Sequence, residues 1–226
     1  MKVTASALRI RIGEVPSSPD PIPWHDLDET ESTMEYAASL AAREAPGWIV
    51  VSARTQRSGR GTRGRSWHSP EGLGLWASVV MPPPGAAENL DGVTAAAAEA
   101  LAASLGELTG VRFTVKHPND VLSRGKKVAG ILIETVVCEN KVVSVILGMG
   151  VNIGQTAAEF EEAGLPDATS LRIESGVRPD RIRVLESFLG RFRPLYETFA
   201  FPADKPIPHP FIPSPMNGRG VQSRPD

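Results

Sequence analysis

Two long β-branched runs, KVAGILIETVV (127–137) and KVVSVILGMGVNI (141–153), are separated by only a few residues, centred on Glu139-Asn140. β-Branched residues fit a pleated, half-buried surface, and a short polar turn leaves the second run no course but to fold back on the first. The pair predicts an antiparallel hairpin long enough to organise a sheet. Further strands are expected at WIVVSAR (48–54), GLWASVVM (74–81) and VRFTVKH (111–117), with a short hairpin around Arg124-Gly125.

Helices are expected at three places. Ser32 and Glu35 have capping-box spacing ahead of a helix at about 33–44, which Pro46-Gly47 would stop. Leu90, Val93, Ala97, Leu101 and Leu105 recur at helical spacing in an alanine-rich segment, 89–109, with Gly110 as its stop. Asp180 is expected to cap a helix running to about 199, with an apolar stripe of Ile182, Leu185, Leu189, Phe192, Leu195 and Phe199. The reading is α+β: a mixed sheet backed by helices gathered to one side. Residues 1–23 read as a flexible or extended lead-in, 24–200 as the folded domain, and the proline-rich 201–226 as a disordered tail.

A chain of 226 residues suits one domain with a sizeable core. Its formal net charge of −2 argues against general binding of nucleic acid, and the lead-in is too short for a DNA-binding module. The single cysteine, Cys138, cannot close an internal disulfide, and its apolar neighbours predict a buried thiol. With no signal peptide and no run of about 18 apolar residues, the expectation is a cytoplasmic protein without a membrane span.

Four segments carry residues suited to chemistry. In QRSGRGTRGRSW, Gly59, Gly61 and Gly64 let main-chain N–H groups approach a ligand, and Arg60, Arg63 and Arg65 concentrate guanidinium groups suited to phosphate and carboxylate. The spacing approaches a phosphate-binding P-loop, but Arg65 stands where lysine belongs and a strand, not a helix, is expected next. In KHPNDV (116–121), Lys116 is able to meet a phosphate and Asp120 a magnesium ion, although alone the segment is an ordinary turn. In GKKVAGILIE, Lys127 stands at the mouth of an apolar strand, where an ammonium group neutralises a developing anion. In GMGVNIG, Gly148 and Gly150 permit close approach of a flat ligand, and Asn152 suits a base edge.

Together ESTMEYA, GRGTRGRSW, GLWASVV, KHPNDV, KKVAGILIE, GMGVNI and ATSL resemble, in order and spacing, the biotin–protein ligase family over about residues 26–200. The resemblance implies a fold shared with class II aminoacyl-tRNA synthetases and a two-step reaction. Biotin is activated by ATP to biotinyl-5′-AMP, then passed to a lysine of a biotin carboxyl carrier domain, as of an acyl-CoA carboxylase. Carried over by position, Ser32, Thr33, Gln56, Gly59, Arg60, Gly61, Lys127 and Gly148 would bind biotin. Arg63, Trp67, Lys116, Asn119 and Asn152 would serve ATP or the adenylate, and Asp120 would hold Mg²⁺. Lys127 and Arg60 would carry catalysis. No tightly bound prosthetic group and no DNA partner are implied, and a homodimer is left open.

Three departures stand out. Thr62 replaces an arginine of the family loop, which predicts weaker retention of the adenylate. His117 stands for a tryptophan. Where many relatives carry a small β-barrel domain after the catalytic domain, this sequence has the proline-rich segment, which leaves open either a bare catalytic domain or a truncated chain. A lipoate–protein ligase, sharing the fold and the adenylate chemistry, and a non-catalytic biotin- or adenylate-binding relative are the alternatives.

Overall fold

The computed structural model describes residues 9–16, 20–43, 47–84 and 90–200. The proline-rich segment lies outside them. Eight strands form one sheet in the order β1-β2-β3-β4-β8-β7-β6-β5. They are β1 (Ile10–Glu14), β2 (Pro23–Thr30), β3 (Ile49–Gln56), β4 (Gly74–Met81), β5 (Thr114–Lys116), β6 (Asp120–Ser123), β7 (Lys126–Cys138) and β8 (Lys141–Asn152). The β2–β3 pair is parallel and every other pair is antiparallel, so the sheet is mixed.

The expected hairpin is the longest element pair. Its turn residues Glu139 and Asn140 both take left-handed backbone, φ 49° and 62°, which matches a two-residue turn to the twist of its strands. Arg124 and Gly125, φ 49° and 82°, do the same between β6 and β7.

Strand alternation splits the interior. Val50, Leu75, Val79, Leu147, Met149 and Val151 face α2 (Leu90–Thr109) and α5 (Arg181–Ala200) in the larger core. Ile49, Val51, Val80 and Ile146 face α1 (Thr33–Ala41) through Met34, Ala37 and Leu40. Helices therefore lie on both faces, not gathered to one: α1 closes β2–β3, a parallel connection that requires a crossover. Two short helices, α3 (Ala157–Glu162) and α4 (Leu171–Ser175), follow β8.

Several expectations change. Residues 10–14 of the lead-in join the sheet, so the described fold begins before residue 24. Strand β5 is shorter than VRFTVKH. Ser32 is the N-cap of α1, but its side chain makes no capping bond, and its hydroxyl is buried without a hydrogen-bond partner among the described residues. Asp180 does cap α5, accepting from the Ile182 N–H at 2.7 Å. The buried stripe of α5, however, runs through Leu185, Phe188, Leu189, Phe192 and Tyr196, while Leu195 is exposed. Phe199's side chain lies outside what is described. Cys138 is exposed rather than buried, because β7 runs past the end of β6 and leaves its last residues uncovered.

Candidate active site

The site lies on the α1 face of the sheet, where glycines strip the strands of side chains. Gly130 on β7 stands directly opposite Gly150 on β8, and Leu132 opposite Gly148. The Trp67 ring occupies the space so vacated. A Cβ on Gly150 would fall 2.3 Å from it, and one on Gly130 would fall 3.0 Å from it. Met34 of α1 fills the place above Gly148, where a Cβ would meet its sulfur at 2.6 Å. Each glycine is thus required by a close approach and not by a turn.

The arginine–glycine segment leaves β3 and folds over this floor as a loop. Gly59 is buried at its root, where a Cβ would sit 2.5 Å from the Trp67 carbonyl and 2.8 Å from Ser69 Oγ. The loop closes on itself: the Gly61 N–H donates to Arg65 O at 2.7 Å and the Trp67 N–H to Gly59 O at 2.8 Å. Between them lies a single 3₁₀ turn, Thr62–Gly64, with Arg63 in left-handed backbone (φ 59°). No P-loop helix follows. Arg65 bonds Thr62 through its carbonyl and hydroxyl oxygens. Arg60 reaches from the loop to the sheet, donating to Glu134 of β7 at 2.5 Å.

Lys127 is aimed by irregular backbone. The β6–β7 register pairs Leu122 with Lys127 but Val121 with Ala129, so the extra residue Val128 forms a bulge that re-aims the side chain beside it. On the other edge the segment 167–169 pins the same residue: the Lys127 N–H donates to Asp167 O and the Thr169 N–H to Lys127 O, both at 2.8 Å. The Lys127 ammonium then sits 2.6 Å from Asp120 Oδ1 and 5.0 Å from the Trp67 ring centroid. The aromatic face adds a cation–π attraction to the ion pair.

Arg60 and Lys127 line one cavity together with Thr33, Gln56, Asn119 and Gly148. A second cavity shares Gly61, Thr62, Trp67 and Lys127 with the first and extends to Asn152, Phe160 and Leu165. A two-part ligand with an anionic junction suits this arrangement, the junction lying at Lys127, the charged residue common to both parts.

Other expected residues stand elsewhere. Lys116 is exposed at the end of β5 and Arg63 is exposed on the 3₁₀ turn, and neither lines the two cavities. Asn152 is 5% exposed and its amide is engaged internally, donating to Thr169 O and accepting from Gln155. Asp120 Oδ1 is engaged by Lys127 and by the Asn119 amide. Among the described residues no group of three or more His, Cys, Asp or Glu side chains gathers to hold a metal ion, so a Mg²⁺ at Asp120 would need the ATP phosphates for its remaining ligands. His117 is exposed and pairs with Glu99. Among the described residues no helix is long and apolar enough to cross a membrane.

Sequence reading passed over Glu134, Ser69 and Met34. Glu134 closes the very block KKVAGILIE that drew attention to Lys127. Ser69 follows the loop by two residues. Met34 sits in ESTMEYA, where its helical position disguises it as core.

The model of the Biotin/lipoate A/B protein ligase family matches residues 27–152. The "Bifunctional ligase/repressor BirA" of Bacillus subtilis is 36% identical over 184 residues, which cover 81% of this chain and 56% of that protein. The "Biotin--[acetyl-CoA-carboxylase] ligase" of Paracoccus denitrificans is 36% identical over 182 residues, 77% of this chain and 75% of that one. Among solved structures, the biotin protein ligase of Aquifex aeolicus in complex with biotin and ATP matches with a TM-score of 0.66 at 31% identity, covering 78% of this chain and 71% of that one. The chain spans about half the length of the Bacillus protein, 56%.

Proposed function

The chain belongs to the biotin/lipoate A/B protein ligase family, and from that premise we propose that it activates biotin with ATP and transfers the biotinyl group to a lysine of a biotin carboxyl carrier domain. One observation carries the reading: Arg60 and Lys127, from distant stretches of the chain, line a single cavity. In the first step a biotin carboxylate oxygen attacks the α-phosphorus of ATP, the bond to the bridging oxygen breaks, and pyrophosphate leaves. Two anions meet, so the site must supply positive charge where more negative charge develops. Lys127 meets the carboxylate and the α-phosphate, and Arg60 supplies a second cation from the loop. Asp120 and Trp67 hold the Lys127 ammonium in place.

Thr33 and Gln56 serve the biotin end. Trp67 and the second cavity serve the adenosine end, where Asn152 offers its remaining amide N–H. The loop 59–66 keeps water from the mixed anhydride, whose hydrolysis would waste it. In the second step the carrier lysine amine attacks the acyl carbon, the C–O bond to phosphate breaks, AMP leaves, and the new amide loses a proton.

Magnesium would arrive with ATP, and the carrier would be a subunit of an acyl-CoA carboxylase, as the name of the Paracoccus relative suggests for that protein. The names of the relatives favour biotin over lipoate. The test is pyrophosphate release from Mg·ATP. Release that requires biotin, is not supported by lipoate, and is followed by label transfer to a carrier domain is the expected result. Release with lipoate alone, or biotin binding without release, would replace this reading with one of the two alternatives.

A further inference from the structure

Gln56 lines the first cavity at the end of β3. What a glutamine offers a ligand depends on which way round its amide sits, since one end accepts and the other donates. Here the orientation is set from both ends. Gln56 Oε1 accepts from the Thr33 N–H at 2.9 Å and from Thr33 Oγ1 at 3.0 Å. A backbone N–H cannot accept, so the oxygen must face it. Thr33 Oγ1 in turn accepts from Ser78 Oγ at 2.8 Å.

At the other end Gln56 Nε2 donates to Ser69 Oγ at 2.8 Å. Ser69 donates its own proton to the Trp67 carbonyl at 3.2 Å, which leaves it only lone pairs to offer Gln56. The bonds therefore run in one direction, from Ser78 through Thr33, Gln56 and Ser69 to Trp67. Ser69 is 5% exposed, and its carbonyl also accepts from Thr55 Oγ1 at 2.9 Å. The missing Cβ of Gly59 leaves room for this junction: an added carbon would fall 2.8 Å from Ser69 Oγ and 3.0 Å from Gln56 Nε2.

We propose that Ser69 is a positioning residue for the biotin site, fixing the Gln56 amide so that its one uncommitted N–H is presented to an acceptor atom of biotin. The proposal rests on the biotin reading above. Without the Ser69 hydroxyl, only the Thr33 bonds at the Oε1 end hold the amide, and the Nε2 end is free to tilt. The donor then spends part of its time elsewhere.

The test is calorimetric titration of the full chain with biotin alone and, separately, with Mg·ATP alone. Ser69→Ala is expected to weaken biotin binding about tenfold, the scale of one hydrogen bond to a ligand, with ATP binding changed less than about twofold. Ser69→Thr, which keeps the hydroxyl, is expected to restore most of the biotin affinity. In a Gln56→Ala background, Ser69→Ala should cost nothing further, because Ser69 acts through Gln56. If Ser69→Ala does not fold, Ser69→Cys, of similar size with a weaker acceptor, carries the same expectation. Unchanged biotin affinity, an equal loss toward ATP, or an undiminished loss in the Gln56→Ala background would overturn the role of Ser69. Wild-type protein that binds no biotin would instead overturn the biotin reading.

Discussion

Gly150→Ala tests the floor of the site with a single carbon. The added Cβ would lie 2.3 Å from Trp67 Cε2 and 2.5 Å from its Nε1, against about 3.5–4.0 Å for ordinary carbon contacts. The ring must therefore move by about 1 Å or more, or the β4–β8–β7 backbone must yield. Backbone movement is resisted, because Gly150 is paired on both sides, to Trp76 and to Gly130. Overpacking of this kind costs about 1–3 kcal/mol. For a chain of this size that corresponds to a fall in Tm of about 2–12 °C. Displacing the ring also removes the face against which Lys127 rests at 5.0 Å. A misplacement near 1 Å at the reacting groups costs on the order of 10²-fold in rate. The assays are thermal unfolding and biotin-dependent pyrophosphate release. Gly190→Ala is the control, since a Cβ there meets nothing within 4 Å and the residue lies in α5. Gly150→Ala protein with wild-type Tm and wild-type rate would refute the argument that Trp67 is seated by the absence of that side chain.

Thr62→Arg restores a guanidinium to the loop and is expected to slow release of the biotinyl-adenylate about fivefold, about 1 kcal/mol for a charge-assisted contact that stays partly exposed. An unchanged off-rate would count against Thr62 as the weak point of retention. Tyr196 is buried and donates to Pro82 O at 2.6 Å, and burial pushes its hydroxyl well above the ordinary tyrosine range. A raised folded-state value means full stability below about pH 10, the ordinary tyrosine value, and loss of stability as pH rises beyond it, because the unfolded chain ionises first. Tyr196→Phe should lower stability by about 1 kcal/mol at neutral pH while removing this alkaline component. Denaturant titrations at pH 8 and above pH 10 check both, and an alkaline loss equal to wild type would exclude Tyr196 as its source.

The parts of the fold legible in the sequence are those where local chemistry and tertiary burial agree. The β7–β8 hairpin was readable because long β-branched runs flank two residues that tolerate left-handed backbone. Strand β4 was readable because all eight of its residues are buried. Strand β1 was not, since its five residues are all exposed and carry no buried face. Nor was β2, whose polar sequence PWHDLDET is buried chiefly through Asp26 and Leu27. Asp26 is tolerated there because Arg11, Arg181 and Ser52 surround it, partners far away in the chain.

The site divides in the same way. Lys127 and Arg60 were readable as cations in unusual sequence settings. The pairing of Asp120 with Lys127 was not readable, because the two are brought together across the bulged β6–β7 pair. No sequence pattern announces a bulge. Ser69 and Glu134 act through partners on other elements, so their part emerges only once the loop is folded over the sheet.

The central claim is that Arg60 and Lys127 act on the same acyl-phosphate. A double-mutant cycle on biotinyl-adenylate formation, with Arg60→Ala, Lys127→Ala and the pair, tests it most directly. Lys127→Ala alone should lose on the order of 10²-fold, as for removal of a transition-state donor, and the double variant should lose clearly less than the product of the two single losses. An undiminished Lys127→Ala rate, or losses that multiply as for independent sites, would contradict the claim.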